Sequence, residues 1–281
     1  MVQMPVFHHT GALGDFLLSL PFLRALRLRF PEAAWTLAVP EEHARLVARI
    51  FPCSARIAPG SVELAALTSR PPSSERLAAL LDRHGGLFGF VPRANELTAL
   101  AREVRPEVDT LLLEPFSLTL EAGETVESVL EPATGCVSGA DFAIAPHELP
   151  PLADPGELAG LPEDRAFAIV HIGASDPAKR PPPAAVEREA ALCAARGLAV
   201  VWARGPVERE REIRLPEGPA LDAPSLVGLA HAIARASQYV GGDTGPTHLA
   251  AALGTPVVAL QRAPNPLWRP RGANVRIVLT G

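Results

Sequence analysis

What most constrains the fold of this chain is an alternation: short apolar or β-branched runs, each followed by residues at helical spacing, recur through both halves of the sequence. VFHH opens the series and is followed by a helical pattern over 15–29. WTLAV (35–39) is followed by EEHARLVARI, LFGFV (87–91) by NELTALAREV, and DTLLLEP comes next. Runs of this kind predict βαβ units, because two parallel strands need a crossover long enough to hold a helix. Residues 145–165, APHELPPLADPGELAGLPEDR, interrupt the pattern; rich in Pro, Gly and charge, they suit an interdomain linker. The alternation resumes with AFAIVHI (166–172), a helix over 184–196, LAVVWA (198–203), SLVGLAHAIARA (225–236), QYVGGD (238–243), a helix near 246–253, PVVAL (256–260) and NVRIVL (274–279). The expectation is an α/β chain of two Rossmann-like domains with parallel sheets, 1–150 and 151–281, binding ligands beyond the carboxyl ends of the strands.

Length agrees, since 281 residues suffice for about two domains of ordinary size. A net charge of -5 leaves no global positive field to attract nucleic acid. Cys53, Cys136 and Cys193 are far apart and lack C-x-x-C spacing, which argues against a disulfide framework or a thiolate metal site and for a reducing, cytoplasmic setting. His8, His9, His171 and His231 show no metal-ligand spacing and read as structural or surface residues. The start, MVQMPVFHHTG, lacks the charge and apolar run of a signal peptide, and Asp15, Pro21 and Arg24 break the most apolar segment. No phosphate loop of the G-x-x-x-x-G-K type is present, and no G-x-G-x-x-G follows the first strand, so a nicotinamide enzyme is poorly supported.

The residues suited to chemistry stand where strands are expected to end. In VGGDTGPTHLAAALGTPVVAL (240–260), Gly241 and Gly242 allow a tight turn, and Pro246 suits the first helical position, where its missing N–H loses nothing. The amides of Thr247, His248 and Leu249 are then expected to be free donors at the positive end of a helix dipole. Such an end binds phosphate, with the Thr244 hydroxyl beside it and Gly245 permitting close approach. The same residues read equally as a turn and helix cap, with Asp243 or Thr244 capping and His248 packed in the first turn. In HTGALGDFLLSLP (9–21), Asp15 either caps a helix start or serves as a base. Pro21 predicts a kink or a later helix start.

HIGASDPAKRPP (171–182) runs from a strand end into a small-residue loop with Lys179 and Arg180, two cations that either neutralise a diphosphate or form a solvated basic loop. Glu208, in ARGPVEREREI, follows the next strand, where an acid binds ribose hydroxyls in doubly wound domains; interleaved with arginines, it also fits a charged helix face. Gly11, Gly14, Ser175 and Arg180 complete the candidates for phosphate-binding loops.

Taken together, ALGDFLLSLPFLRALRLRFPEAAWTLAV (12–39), HIGASDPAKR (171–180), WARGPVE (202–208) and GGDTGPTHLAAALGTPVVAL (241–260) resemble glycosyltransferase family 9, the ADP-heptose:lipopolysaccharide heptosyltransferases. The resemblance implies a GT-B fold, two Rossmann-like domains facing across a cleft, with the acceptor mainly on the first, the sugar nucleotide mainly on the second, and hinge closure between them. It implies inverting chemistry without metal or cofactor, in which Asp15 is the general base. By the same resemblance Lys179 contacts the diphosphate, Glu208 the ribose, Asp243 the donor sugar, and Thr244, Gly245 and nearby amides the phosphates. His248 matches the family histidine and is given no acid–base role. The implied donor is ADP-heptose, and the implied acceptor a lipopolysaccharide core or another glycan or lipid-linked acceptor. The implied setting is cytoplasmic, peripheral to the inner membrane. For that peripheral contact, Arg24, Arg27 and Arg29 with Phe22 and Phe30 are candidates, though the arginines also fit a solvated helix face. A non-catalytic sugar-nucleotide-binding protein and a sugar-nucleotide epimerase remain as alternatives.

The chain departs from the family pattern in three places. Pro181-Pro182 follows Lys179-Arg180 where Trp-Pro is usual, His9 replaces a basic residue, and the usual D-L-x-I-D-L-Q pattern is not found between 60 and 140. Family members also commonly continue into C-terminal helices beyond the point corresponding to NVRIVLTG.

Overall fold

The computed structural model describes residues 4–92, 94–113, 126–135 and 137–281; Cys136 and the Glu114-Pro115 end of DTLLLEP lie outside the described residues. Two compact units emerge, Met1–Ala12 with Ser19–Val137, and Leu13–Leu18 with Ser138–Gly281. The division thus falls before residue 150, and a short helical segment from the start of the chain is grouped with the second unit.

The first unit contains β1 (Val6–His8), α2 (Leu20–Arg29), β2 (Trp35–Ala38), α3 (Glu41–Leu46), β3 (Cys53–Arg56), α4 (Val62–Thr68), α5 (Ser74–His84), β4 (Gly86–Phe90), α6 (Ala94–Val104), β5 (Asp109–Leu113) and α7 (Val126–Thr134), while α1 (Leu13–Leu18) goes with the second. Its parallel sheet has the order β3-β2-β1-β4-β5. Central strands read as continuous apolar runs because both faces are covered. On one face Phe7, Phe22, Trp35 and Phe51 are fully buried and meet ring to ring, Trp35 and Phe51 at 4.9 Å. On the other, Val6, Ala38 and Leu87 pack against Leu77, Leu80, Leu81 and Leu97 of α5 and α6. Phe22 therefore belongs to the core, and the expected membrane contact through it is corrected: on α2 the exposed large apolar residue is Leu28. Pro21 produces the later helix start, as α1 ends at Leu18, Ser19 turns, and Pro21 occupies the first turn of α2, where its missing N–H breaks no bond.

The second unit adds β6 (Phe167–His171), α8 (Pro183–Ala195), β7 (Ala199–Arg204), α9 (Pro206–Glu210), β8 (Ala220–Asp222), α10 (Leu226–Arg235), β9 (Gln238–Gly242), α11 (Gly245–Ala252), β10 (Val257–Gln261) and β11 (Val275–Leu279). The strands run parallel in the order β11-β10-β9-β6-β7-β8. Ala168, Val170, Val240, Val258 and Leu260 bury one face beneath Val186, Ala190 and Cys193 of α8.

The segment 145–165, read from composition as a linker, is part of this unit. Leu149 and Leu161 are buried, the Glu157 carboxylate accepts bonds from the Ser225 amide (3.0 Å) and hydroxyl (2.7 Å), and His231 Nε2 lies 2.8 Å from the Pro150 carbonyl. Proline-rich irregular backbone is held here by side-chain bonds to α10, which composition does not reveal. Among the described residues no helix is long and apolar enough to cross a membrane.

Candidate active site

Strand β9 ends at Gly242, and the chain turns at once: the Thr244 amide bonds the Gly242 carbonyl at 2.9 Å. A side chain at Gly242 would be tightly confined, since a Cβ would meet Pro181 Cδ at 3.0 Å and the Lys179 carbonyl at 3.2 Å; the buried Pro181, where the family pattern has Trp, thus packs directly on this turn. Thr244 is the N-cap of α11, but its side chain makes no capping bond. Its carbonyl instead takes the amides of Thr247 (3.0 Å) and His248 (3.3 Å), and the Thr247 hydroxyl donates to the Gly242 carbonyl at 2.5 Å. The expectation that the Thr247 and His248 amides are free is corrected: the first turn is tight enough to use them internally. The positive end of the helix dipole remains, because it arises from the aligned peptides.

Helix α1 lies against α11, and two glycines set the approach. A Cβ on Gly14 would stand 3.0 Å from His248 Cδ2, and one on Gly245 would stand 2.7 Å from Leu13 Cβ. Asp15, half-buried on α1, is next in chain to that contact. Its carboxylate and the phosphate-binding candidates of α11 therefore share one compact unit.

Asp243, between β9 and α11, gathers charge. Its Oδ2 accepts a bond from Asn265 Nδ2 at 2.9 Å and lies 4.0 Å from Lys179 Nζ, while Oδ1 lies 4.0 Å from His248 Nε2. His248 is buried, and burial pushes its pKa down to about 4 despite Asp243, with Arg271 and Lys179 adding to the lowering. At neutral pH the imidazole is uncharged. Asn265 and Arg271 were not legible in the sequence: they come from an irregular proline-containing loop after β10 and reach the site only through the fold.

Glu208 is not on a solvated charged face. It is 3% exposed, and its Oε2 caps α9 by accepting the Gly205 amide at 2.9 Å. Arg180, by contrast with the exposed Lys179, has Nε and Nη2 buried without a hydrogen-bond partner among the described residues. Ser175 is exposed, and its carbonyl accepts Arg211 Nη1 at 3.2 Å. Gly11 lies in the first unit, with its amide bonded to His9 Nδ1 at 3.0 Å. His9 is fully buried; desolvation, with His8 and His43 nearby, lowers its pKa to about 3, so it does not replace the charge of the basic residue usual at that place. No group of three or more His, Cys, Asp or Glu residues suited to a metal ion occurs among the described residues.

The model of glycosyltransferase family 9 (heptosyltransferase) matches residues 140–280. No curated protein matches the chain. Among solved structures, a family 9 glycosyl transferase from Veillonella parvula superposes with a TM-score of 0.68 at 19% identity, covering 100% of this chain and 88% of that one. The E. coli ADP-heptose lps heptosyltransferase II gives 0.64 at 21% identity, covering 99% and 91%. E. coli heptosyltransferase WaaC with ADP gives 0.60 at 22%, covering 98% and 92%. At these identities the structural likeness is one of fold, two parallel-sheet α/β units of the GT-B class.

Proposed function

The chain belongs to glycosyltransferase family 9, and from that premise we propose that it transfers heptose or a related sugar, with inversion, from an ADP-linked donor to a lipopolysaccharide-core or similar glycan acceptor. Asp15 takes the proton of the acceptor hydroxyl as that oxygen forms its bond to the anomeric carbon. The bond from that carbon to the diphosphate oxygen breaks, and the nucleoside diphosphate leaves with the electron pair. Negative charge on the leaving group is met by Lys179, Arg180, the Thr244 hydroxyl, Gly245 and the positive end of α11. Asp243, oriented by Asn265, faces the donor sugar, and Glu208 the ribose. His248 stays neutral and packs α1 onto α11. This reading needs neither metal nor cofactor and puts the reaction on the cytoplasmic side.

The observation that carries the reading is the packing of the Asp15-bearing helix on α11 through Gly14 and Gly245, in the unit that also holds Lys179 and Asp243. A base and a set of diphosphate-binding groups on opposite sides of one reacting carbon are what inverting displacement requires. Calorimetric titration with ADP, UDP and GDP, followed by ADP release from ADP-heptose with candidate acceptors, tests it. ADP is expected to bind best, and Asp15→Ala to keep that binding while transfer falls by about a hundredfold or more. An undiminished transfer rate in Asp15→Ala would make Asp15 a structural residue of α1. Binding without transfer to any acceptor in the wild type would favour the non-catalytic alternative.

A further inference from the structure

A carboxylate that is 3% exposed is held by whatever touches it, since it has left bulk water. Glu208 has one oxygen on the Gly205 amide; the other, Oε1, occupies the place a side chain would take at Gly173. A Cβ built on Gly173 would stand 2.2 Å from Glu208 Cδ and 2.4 Å from Oε1. Close to the Glu208 carboxylate is His171, the last residue of β6 and 4% exposed. Its Nε2 is 4.0 Å from where a Gly205 Cβ would be, beside the Glu208 Oε2 that stands 3.0 Å from the same point, and the Gly173 backbone is a further polar neighbour of the imidazole. Burial lowers the pKa of this imidazole, and the nearby Glu208 charge works against that lowering, so the two side chains feel one another.

We propose that His171 and Gly173 are positioning residues for Glu208: the imidazole backs the carboxylate and the missing Cβ admits it, so that Glu208 is held in the rotamer that recognises the 2′,3′-diol of a nucleoside diphosphate. The inference rests on the reading above, in which Glu208 faces the ribose. H-x-G at the end of β6 then acts at one remove from the ligand, through a side chain contributed after the neighbouring strand β7. Fixing the rotamer in advance is what lets a short carboxylate discriminate hydroxyls, because the ordering cost is met in folding rather than in binding.

The test compares ADP with 2′,3′-dideoxyadenosine diphosphate by calorimetry, reading the ratio of their affinities. The wild type is expected to favour ADP by about tenfold or more, the scale of hydrogen bonds to a charged acceptor. Glu208→Gln, His171→Phe and Gly173→Ala are each expected to bring the ratio to within about twofold of one, and His171→Phe added to Glu208→Gln to lower it no further. A purely structural role would weaken both nucleotides alike and leave the ratio intact. If Glu208→Gln abolishes the preference while His171→Phe and Gly173→Ala keep it, the positioning role is overturned and the ribose reading stands. If Glu208→Gln itself keeps the preference, or the wild type has none, the ribose reading falls and the positioning role with it. Should His171→Phe show no cooperative thermal transition, Gly173→Ala, which removes nothing from the core, decides the matter.

Discussion

At Gly14 the backbone of α1 approaches the imidazole of His248 closely, and a methyl group added there would stand 3.0 Å from ring carbon Cδ2 and 3.2 Å from Nε2. His248 is buried and has little room to yield, so the methyl displaces α1 instead. Asp15, the adjacent residue, moves with it. Gly14→Ala is therefore expected to lower sugar transfer by about ten- to a hundredfold, because a base displaced by a fraction of an ångström loses its line of attack. ADP affinity should change little. Steady-state transfer rates set beside calorimetry check this, and an equal loss in both would show that Gly14 supports the nucleotide site rather than the base. Aspartate after glycine in an apolar run was visible in the sequence as either cap or base. That Gly14 is a contact surface for a histidine more than two hundred residues later was not, since no local pattern encodes the partner.

Among the elements, α10 shows how a segment without periodicity is secured. Ser225 caps the helix by accepting the Gly228 amide at 3.0 Å, while its own amide and hydroxyl donate to Glu157 on the 145–165 segment. Ser225→Ala removes the cap and the hydroxyl bond together, and is expected to cost about 1–2 kcal/mol, read as a lower urea midpoint with unchanged slope. Glu157→Ala should loosen residues 145–165, detected as faster amide exchange there; unchanged exchange would show that Leu149 and Leu161 hold the segment without it. Long periodic elements such as α6, α8 and α10 were legible in advance. The short strands β3 and β8 are not legible, because three or four residues carry too little alternation to register, and the sequence reading also passes over the helices α4 and α5. Pro and Gly mark irregular backbone in 145–165 but do not say whether that backbone is docked.

The molecule as a whole buries histidines that must stay neutral. Burial holds His8, His43 and His248 at about 4 and His9 at about 3, all below the ordinary value of 6.5. Between 6.5 and those values the unfolded chain binds protons that the folded chain refuses. The stability these groups confer is therefore complete above about pH 6.5 and declines as pH falls toward 4, by on the order of 1 kcal/mol per pH unit for each histidine. Thermal melts at pH 7.5, 6 and 5 should show a falling midpoint. A midpoint that does not move across that range would mean the imidazoles remain solvated. Since His8, His9 and His43 lie in one unit and His248 in the other, replacing His248 with Gln should relieve only part of the loss.

What the sequence determined by itself is the class of fold and the stretches that carry the family resemblance. Alternating strand and helix periods force parallel sheets, and ligand-binding residues in such sheets fall after strands; position made Asp15, Lys179, Glu208, Asp243 and His248 candidates with a cap, loop or helix-face reading beside each, and the resemblance to the family supplied their expected roles. Tertiary structure alone decided which surfaces meet. It grouped α1 with the second unit, consumed the Thr247 and His248 amides inside the first turn of α11, buried Phe22 in the core, brought Asn265 onto Asp243, and set Glu208 into the space left by Gly173. The physical reason is range: periodicity and capping act within a few residues and are written locally, whereas close packing and desolvation depend on partners distant in the chain.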